Sequence, residues 1–349
     1  MPADMPDEGL ERYARQMRYA PIGEAGQRRL LAGRVLICGC GALGSVLANT
    51  LARSGLGHLR LVDRDFLELN NLQRQVLFDE QDVERSIPKA VAAAEHLRQI
   101  NSTIDIEPIV ADVDHTNIAR LVRDVDVILD GTDNFETRYL LNDASIRYEI
   151  PWVYGGCIGA DGQTMTIVPG KTPCFRCLHP EPPSPGSMDT CDSAGIIAPI
   201  INVIASIQAC EAIKIVTGHH DQINKTLMAI DLWDTRVRQI GLEALHASGG
   251  CPACSEHDLP WLDGREGSHT AVLCGRNSVQ LTFPQQVDLS LDALAKRLEG
   301  IGRVSRNKYL LRLAIDKFRI TVFPDGRAII NGTEDIAEAR TLYARYIGT

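Results

Sequence analysis

Glycines, cysteines and a short run of amides and cations are the residues of this chain whose types and spacing could do chemistry. Residues 35–45, VLICGCGALGS, place Gly39, Gly41 and Gly44 at GxGxxG spacing between an apolar strand pattern and an apolar helix pattern. Glycines there let the backbone approach a ligand closely, and a helix N-terminus offers free amides to phosphate. Asp63 ends the next strand pattern about 20 residues on, where a carboxylate takes ribose hydroxyls. The turn alone serves a dehydrogenase cofactor equally well. NNLQRQ at 70–75, with Asn70, Asn71, Gln73 and Arg74, and then Lys89 in SIPKA, shift the balance. Three adjoining phosphates need several donors and cations, so this set suits a triphosphate better than a nicotinamide ring. A solvated polar loop is the plain alternative.

ILDGTDNF at 128–135 brings Asp130, Asp133 and Asn134 just past another buried-strand pattern. Turn and cap chemistry explains Asp and Asn here moderately well. A triphosphate, however, brings magnesium, which takes one or two carboxylates beside phosphate oxygens. The ten cysteines, in a chain without a secretory signal pattern, point to metal or thiol chemistry rather than to disulfides. Cys174 with Cys177 and Cys251 with Cys254 form two CxxC pairs, which can complete a tetrahedral thiolate site around structural zinc. Their separation is far longer than in a zinc finger, so such a site would clip two distant loops together. Otherwise the pairs are turns with incidental cysteines.

These residues need elements to position them. Residues 33–130 alternate strand and helix patterns, the rhythm of a parallel, helix-covered sheet, and ligands bind such sheets beyond the carboxyl ends of the strands. Asp63 and the ILDGTDN segment fall at those ends. Residues 11–32 read as helical. Residues 151–170 read as strands that extend the sheet, with Cys157 buried and inert. The stretch 178–195, rich in proline, is a long loop of the kind that tends to be functional, and it carries Cys191. Residues 196–217 are apolar nearly all round, as befits a core or subunit-interface helix. TLMAIDLWD within 226–240 reads as one more strand. Past 265 the pattern becomes strand, helix, three hairpin-linked strands and helix, with turns at Asp316-Lys317 and Pro324-Asp325-Gly326. The expected organisation is α/β, with domains at 1–265 and 266–349.

A net charge of -9 argues against general nucleic-acid binding. With no apolar run of membrane-spanning length and no signal peptide, the expectation is a cytoplasmic protein without membrane attachment.

GCGALG, DRDFLELNNLQRQ, ILDGTDNFETRYLLND, the two CxxC pairs and the N-terminal RYARQ together closely resemble the ThiF/MoeB/HesA family, relatives of the ubiquitin-activating enzymes, over roughly residues 11–255. The resemblance implies a Rossmann-like, mostly parallel sheet plus a small C-terminal α+β domain. It also implies ATP-dependent adenylylation of the C-terminal glycine of a ubiquitin-like sulfur carrier ending in Gly-Gly. Under it Gly39, Gly41, Ala42 and Gly44 line the nucleotide, and Asp63 holds ribose. Asn70, Asn71, Gln73, Arg74 and Lys89 face the phosphates. Asp133 manages Mg2+, Asn134 touches the nucleotide, and Asp130 is structural. Arg15, the second arginine of RYARQ, reaches the nucleotide of the other subunit of a homodimer.

Cys191 matches the place where covalently linking relatives carry a cysteine. It is thus a candidate for a thioester, an acyl-disulfide or sulfur relay, or else a loop thiol with no obligatory role. The catalytic expectation is therefore Arg15, Arg74, Lys89, Asp133 and Cys191, with ATP, Mg2+ and Zn2+ as cofactors and a sulfur-donor protein as a further partner. Two departures stand out: Ala42 where the family usually has glycine, read as adjusted ATP binding, and Asn70 where serine is commoner. The extension, which lacks a rhodanese-like loop, favours a ThiS-like carrier of thiamine biosynthesis over a MoaD-like carrier of molybdenum cofactor synthesis. An NAD-dependent oxidoreductase would need a His or Tyr constellation, and a non-catalytic scaffold would not need the polar motifs.

Overall fold

Val35, Leu36, Ile37 and Cys38 are fully buried, so Arg34–Cys38 (β1) is covered on both faces. A strand buried on both faces reads as a continuous apolar run rather than an alternating one. The computed structural model describes residues 9–183, 194–247, 249–267, 270–273, 277–281 and 289–348. Two compact units make up the chain, the larger formed by Met1–Ser187 with Ile196–Glu266 and the smaller mainly by Gly267–Thr349.

In the larger unit β1 lies between β2 (His58–Val62) and β4 (Val127–Asp130), with β3 (Asp105–Ile109) beyond β2 and β5 (Trp152–Ile158) beyond β4, all parallel. The chain lays β1, β2 and β3 outward in one direction and returns to place β4 on the other side of β1. That reversal opens a crevice outside the carboxyl ends of β1 and β4. Three antiparallel strands continue the sheet: β6 (Asp161–Ile167), β7 (Thr226–Asp231) and β8 (Arg236–Gly241). The stretch read as one strand near 226–240 is thus a hairpin, closed by Thr235 at a φ of 56°.

Helix Ala198–Thr217 buries Ile201, Ile204, Ala205 and Ala212 against helix Ala42–Ser54 and strands β5 and β6. Its length and apolar composition would allow it to cross a membrane, but more than half of it lies inside the fold. Residues 11–32 are not one helix. A turn at Glu11–Tyr13 runs straight into a single helical turn at Ala14–Met17, and both are separated from the helix Gly23–Ala32 around Pro21, whose ring disfavours helical backbone in the residue before it. Gln16 and Gln27 both donate to the Ser54 carbonyl, at 2.9 and 3.0 Å, and fasten this segment to the end of the Ala42–Ser54 helix.

The smaller unit has an antiparallel sheet in the order β11-β12-β13-β14-β10-β9. Its strands are β9 (Thr270–Leu273), β10 (Ser278–Leu281), β11 (Arg303–Arg306), β12 (Leu311–Ile315), β13 (Phe318–Val322) and β14 (Ala328–Asn331). Val279, Leu313, Ile320 and Ile330 pack with Leu294 and Leu298 of helix Leu291–Leu298 and Leu342 of helix Ile336–Tyr346. Asp316 and Gly326 sit at positive φ in the two expected turns. β9 and β11 add to the sheet read from sequence; β11, RVSR, is a mostly exposed edge strand with no apolar alternation to betray it.

Candidate nucleotide crevice and cysteine clip

At the end of β1 the chain enters Gly39 at a φ of 89°, a conformation only glycine adopts without strain. A Cβ on Gly39 would lie 2.5 Å from the Gly131 carbonyl oxygen, and one on Gly44 would lie 1.8 Å from the Gly39 carbonyl oxygen. The turn after β1 and the loop after β4 are therefore in backbone contact. Gly41 differs: a Cβ there would meet only Gln75 Nε2, at 3.8 Å. Gly41 caps helix Ala42–Ser54 without a side-chain hydrogen bond, so the first amides of a 13-residue helix face the crevice without a capping side chain. Ala42 occupies the first helical position, half-buried.

Asp63 accepts hydrogen bonds from the backbone N–H groups of Cys40 and Asp65, each at 2.7 Å, and so ties the glycine turn to the end of β2. Burial raises its pKa, against the pull of Lys89. Lys89 opens helix Lys89–Ile100 and is 4% exposed, with its ammonium 3.2 Å from the Asp65 carboxylate. Asn71 is buried in the Leu69–Asn71 turn, accepting from the Glu68 N–H and donating to Asn70 Oδ1. Arg74 is half-buried and donates to the Asn70 carbonyl at 2.8 Å; Asn70 and Gln73 are exposed. Gln75, not singled out from sequence, is 3% exposed, lies against Gly41, and has no hydrogen-bond partner for its Oε1 among the described residues. Its type and position do not distinguish it from a surface glutamine.

On the other lip, Asp130 is fully buried and accepts from Thr132 N–H and Oγ1–H at 2.8 and 2.7 Å and from Arg138 Nε at 3.3 Å. Desolvation raises its pKa, and Arg138 opposes the shift. Asn134 accepts from the Thr137 N–H at 2.8 Å and caps helix Phe135–Tyr148. Asp133 is exposed between them, its charge acting on Arg64 and Arg138. The crevice thus gathers Gly39, Gly41, Gly44, Asp63 and Lys89 on one side and the loop bearing Asp133 on the other. Arg15 is exposed on its one-turn helix, with no hydrogen bond or ion pair among the described residues. Cys191 lies outside the described residues.

Residues 13–253 match the ThiF family. The chain belongs to that family. It is 43% identical over 338 residues to the Sulfur carrier protein ThiS adenylyltransferase of Bacillus subtilis, covering 97% of this chain and 99% of that protein. Identity to the SAMP-activating enzyme E1 of Haloferax volcanii is 38% over 247 residues, 71% of this chain and 89% of that one. Among solved structures, E. coli MccB with ATP is similar at a TM-score of 0.59 and 27% identity, covering 70% of this chain and 74% of that one.

Like its crevice, the cysteine cluster of this ThiF-family chain is assembled from separate loops. Cys174 Sγ lies 3.8 Å from Cys177 Sγ and 3.6 Å from Cys251 Sγ, and Cys177 Sγ lies 3.5 Å from Cys254 Sγ. Four thiolates at Zn–S bonds of about 2.3 Å stand about 3.8 Å apart at the corners of a tetrahedron. All four sulfurs lie within 4.8 Å of one another, so the donor set fits a zinc ion. A cavity of 780 Å³, with Cys254 of this cluster in its lining, opens where Gly33, Asp126 and Pro151 precede β1, β4 and β5, at the opposite strand ends from the crevice.

Proposed function

We infer that this chain is an adenylyltransferase that uses ATP to activate the C-terminal glycine of a ubiquitin-like sulfur carrier of the ThiS type. The observation that carries the reading is the relation to the B. subtilis ThiS adenylyltransferase, which covers 97% of this chain and so extends into the small C-terminal unit, whereas the match to the archaeal relative covers 71% of this chain.

A carboxylate oxygen of the carrier attacks the α-phosphorus of ATP, the bond to the β,γ-phosphates breaks, and acyl-adenylate and pyrophosphate result. Two anions must be held in line and the charge moving onto pyrophosphate neutralised. The amides behind Gly41 meet phosphate, Asp63 holds ribose, and Asn71 supports the turn that carries Arg74. Lys89 and Arg74 supply positive charge, with Asn70, Gln73 and Asn134 around the nucleotide. Asp133 would hold Mg2+, which would supply positive charge beside the phosphates. Arg15 enters from the second copy of a homodimer. Cys174, Cys177, Cys251 and Cys254 would hold a zinc ion that would tie the two loops together. Adenylation itself requires no thiol, so Cys191 is either the thiol of a later covalent or sulfur-relay step involving a sulfur-donor protein or a loop thiol with no obligatory role. The reaction takes place in the cytoplasm.

The test is ATP–pyrophosphate exchange with purified carriers. Exchange that depends on a ThiS-type carrier ending in Gly-Gly is the expected result. Exchange with a MoaD-type carrier alone would move the assignment to molybdenum cofactor synthesis, and no exchange with either would overturn it.

A further inference from the structure

We propose that Arg138 is a positioning residue for adenylation, fixing the loop that presents Asp133, and that Phe175 of the cysteine loop keeps it in place. The proposal rests on the reading of Asp133 given above.

Arg138 is 8% exposed, and its guanidinium is committed in three directions. Nε donates to Asp130 Oδ2 at 3.3 Å, and Nη2 donates to the carbonyls of Thr132 at 2.9 Å and Gly155 at 3.2 Å. The Thr132 N–H and hydroxyl are bound by Asp130 in turn. Thr132 is therefore held on both of its peptide groups, and the second leads directly into Asp133. A planar fork can hold a carboxylate and two carbonyls at once. A lysine, with one point of charge, cannot reproduce that geometry.

The fork is itself held. Its Cζ lies 5.2 Å from the Tyr154 ring centroid and 5.6 Å from that of Phe135. Phe175, fully buried between Cys174 and Cys177 in sequence, packs 5.1 Å from Tyr154 and 6.3 Å from Phe135, centroid to centroid. Its backbone N–H donates to Asn142 Oδ1 at 2.9 Å, on the same helix as Arg138. The rings that flank the guanidinium thus rest on a residue from the cysteine loop.

A purely stabilising ion pair would lower activity independently of Asp133. A positioning role makes the two effects overlap, and a double-mutant cycle reads the difference. In carrier-dependent exchange at saturating Mg·ATP, Arg138→Lys is expected to lower kcat on the order of 10²-fold, the scale of a small misplacement at a reacting centre. KM for the carrier should be unchanged. On an Asp133→Asn background the same change should cost less than about twofold. Phe175→Leu, a milder change that leaves both charges in place, should lower kcat about fivefold, with that loss also absorbed in the Arg138→Lys background and bound zinc unchanged by mass spectrometry. Losses that simply multiply in the cycle would overturn the positioning role, and full activity in Phe175→Leu would overturn the support from the cysteine loop. Full activity in Asp133→Asn alone would instead sink the assignment of Asp133.

Discussion

In the crevice two loops are held by backbone against backbone. Gly39, Gly44 and Gly131 approach so closely that a single methyl group would collide, and the flanking acids Asp63 and Asp130 are tied to main-chain N–H groups. At the cysteine clip, segments 77 residues apart in sequence meet through side-chain sulfur at 3.5–3.6 Å. The first arrangement is complete within the chain, and the second is suited to an ion from outside it. Rigidity of the crevice should therefore respond to added volume and rigidity of the clip to the metal supply.

The largest expected effect tests the crevice. Gly44→Ala places a carbon 1.8 Å from a carbonyl oxygen, so exchange activity should fall by more than about 10³-fold or the protein should fail to fold, since overpacked backbone has no side chain to yield. Gly41→Ala, with open space around it, should fold with a melting temperature close to that of the parent; equal damage from both would break the contrast. Next comes the clip. Cys251→Ser, or prolonged chelation of the parent, should remove zinc and lower unfolding stability by several kcal/mol, as metal binding and folding are linked. ATP binding, followed by calorimetry, should weaken by less than about tenfold; a larger loss would mean that the crevice depends on the ion.

Lys89→Ala should then cost about 10²-fold in kcat/KM with zinc content unchanged, the scale for losing one preorganised charge. The smallest effect concerns Asp143, fully buried on helix Phe135–Tyr148 and accepting from the Trp261 and Leu262 N–H groups. Burial pushes its pKa from 3.8 up to about 6. The folded state thus holds this proton more tightly than the unfolded chain, so the stabilisation is complete below the ordinary carboxylate range and is lost as pH rises through about 6. In Asp143→Asn the melting temperature, compared with the parent, should be nearly equal near pH 4 and higher by a few degrees at pH 7. A constant offset across that range would assign the pH dependence to other groups.

Much of the crevice was legible because its constraints are local. Continuous apolar runs mark β1 and β4, and glycine spacing marks a turn whose Gly39 and Gly44 tolerate nothing else. Asp63 was legible as an acid at a strand end, but not its bonds to Cys40 and Asp65, which depend on how β1 and β2 pair. Arg138 and Gln75 were invisible for a related reason: a polar side chain in a helix or loop reads as solvated, and only tertiary packing buries it. CxxC spacing identified each half of the clip, but their meeting depends on the fold between them. Arg15 shows the limit from the other side, since its exposed guanidinium acquires a role only if a second chain faces it.

The interlock of Gly39 and Gly44 with Gly131 has a consequence for how this protein can be altered. Neither lip can be reshaped by itself, because each is the other's van der Waals boundary. Adaptation to a modified base or a longer polyphosphate therefore has to begin beside Gly41, which leaves space and faces the Gln75 side chain rather than main chain.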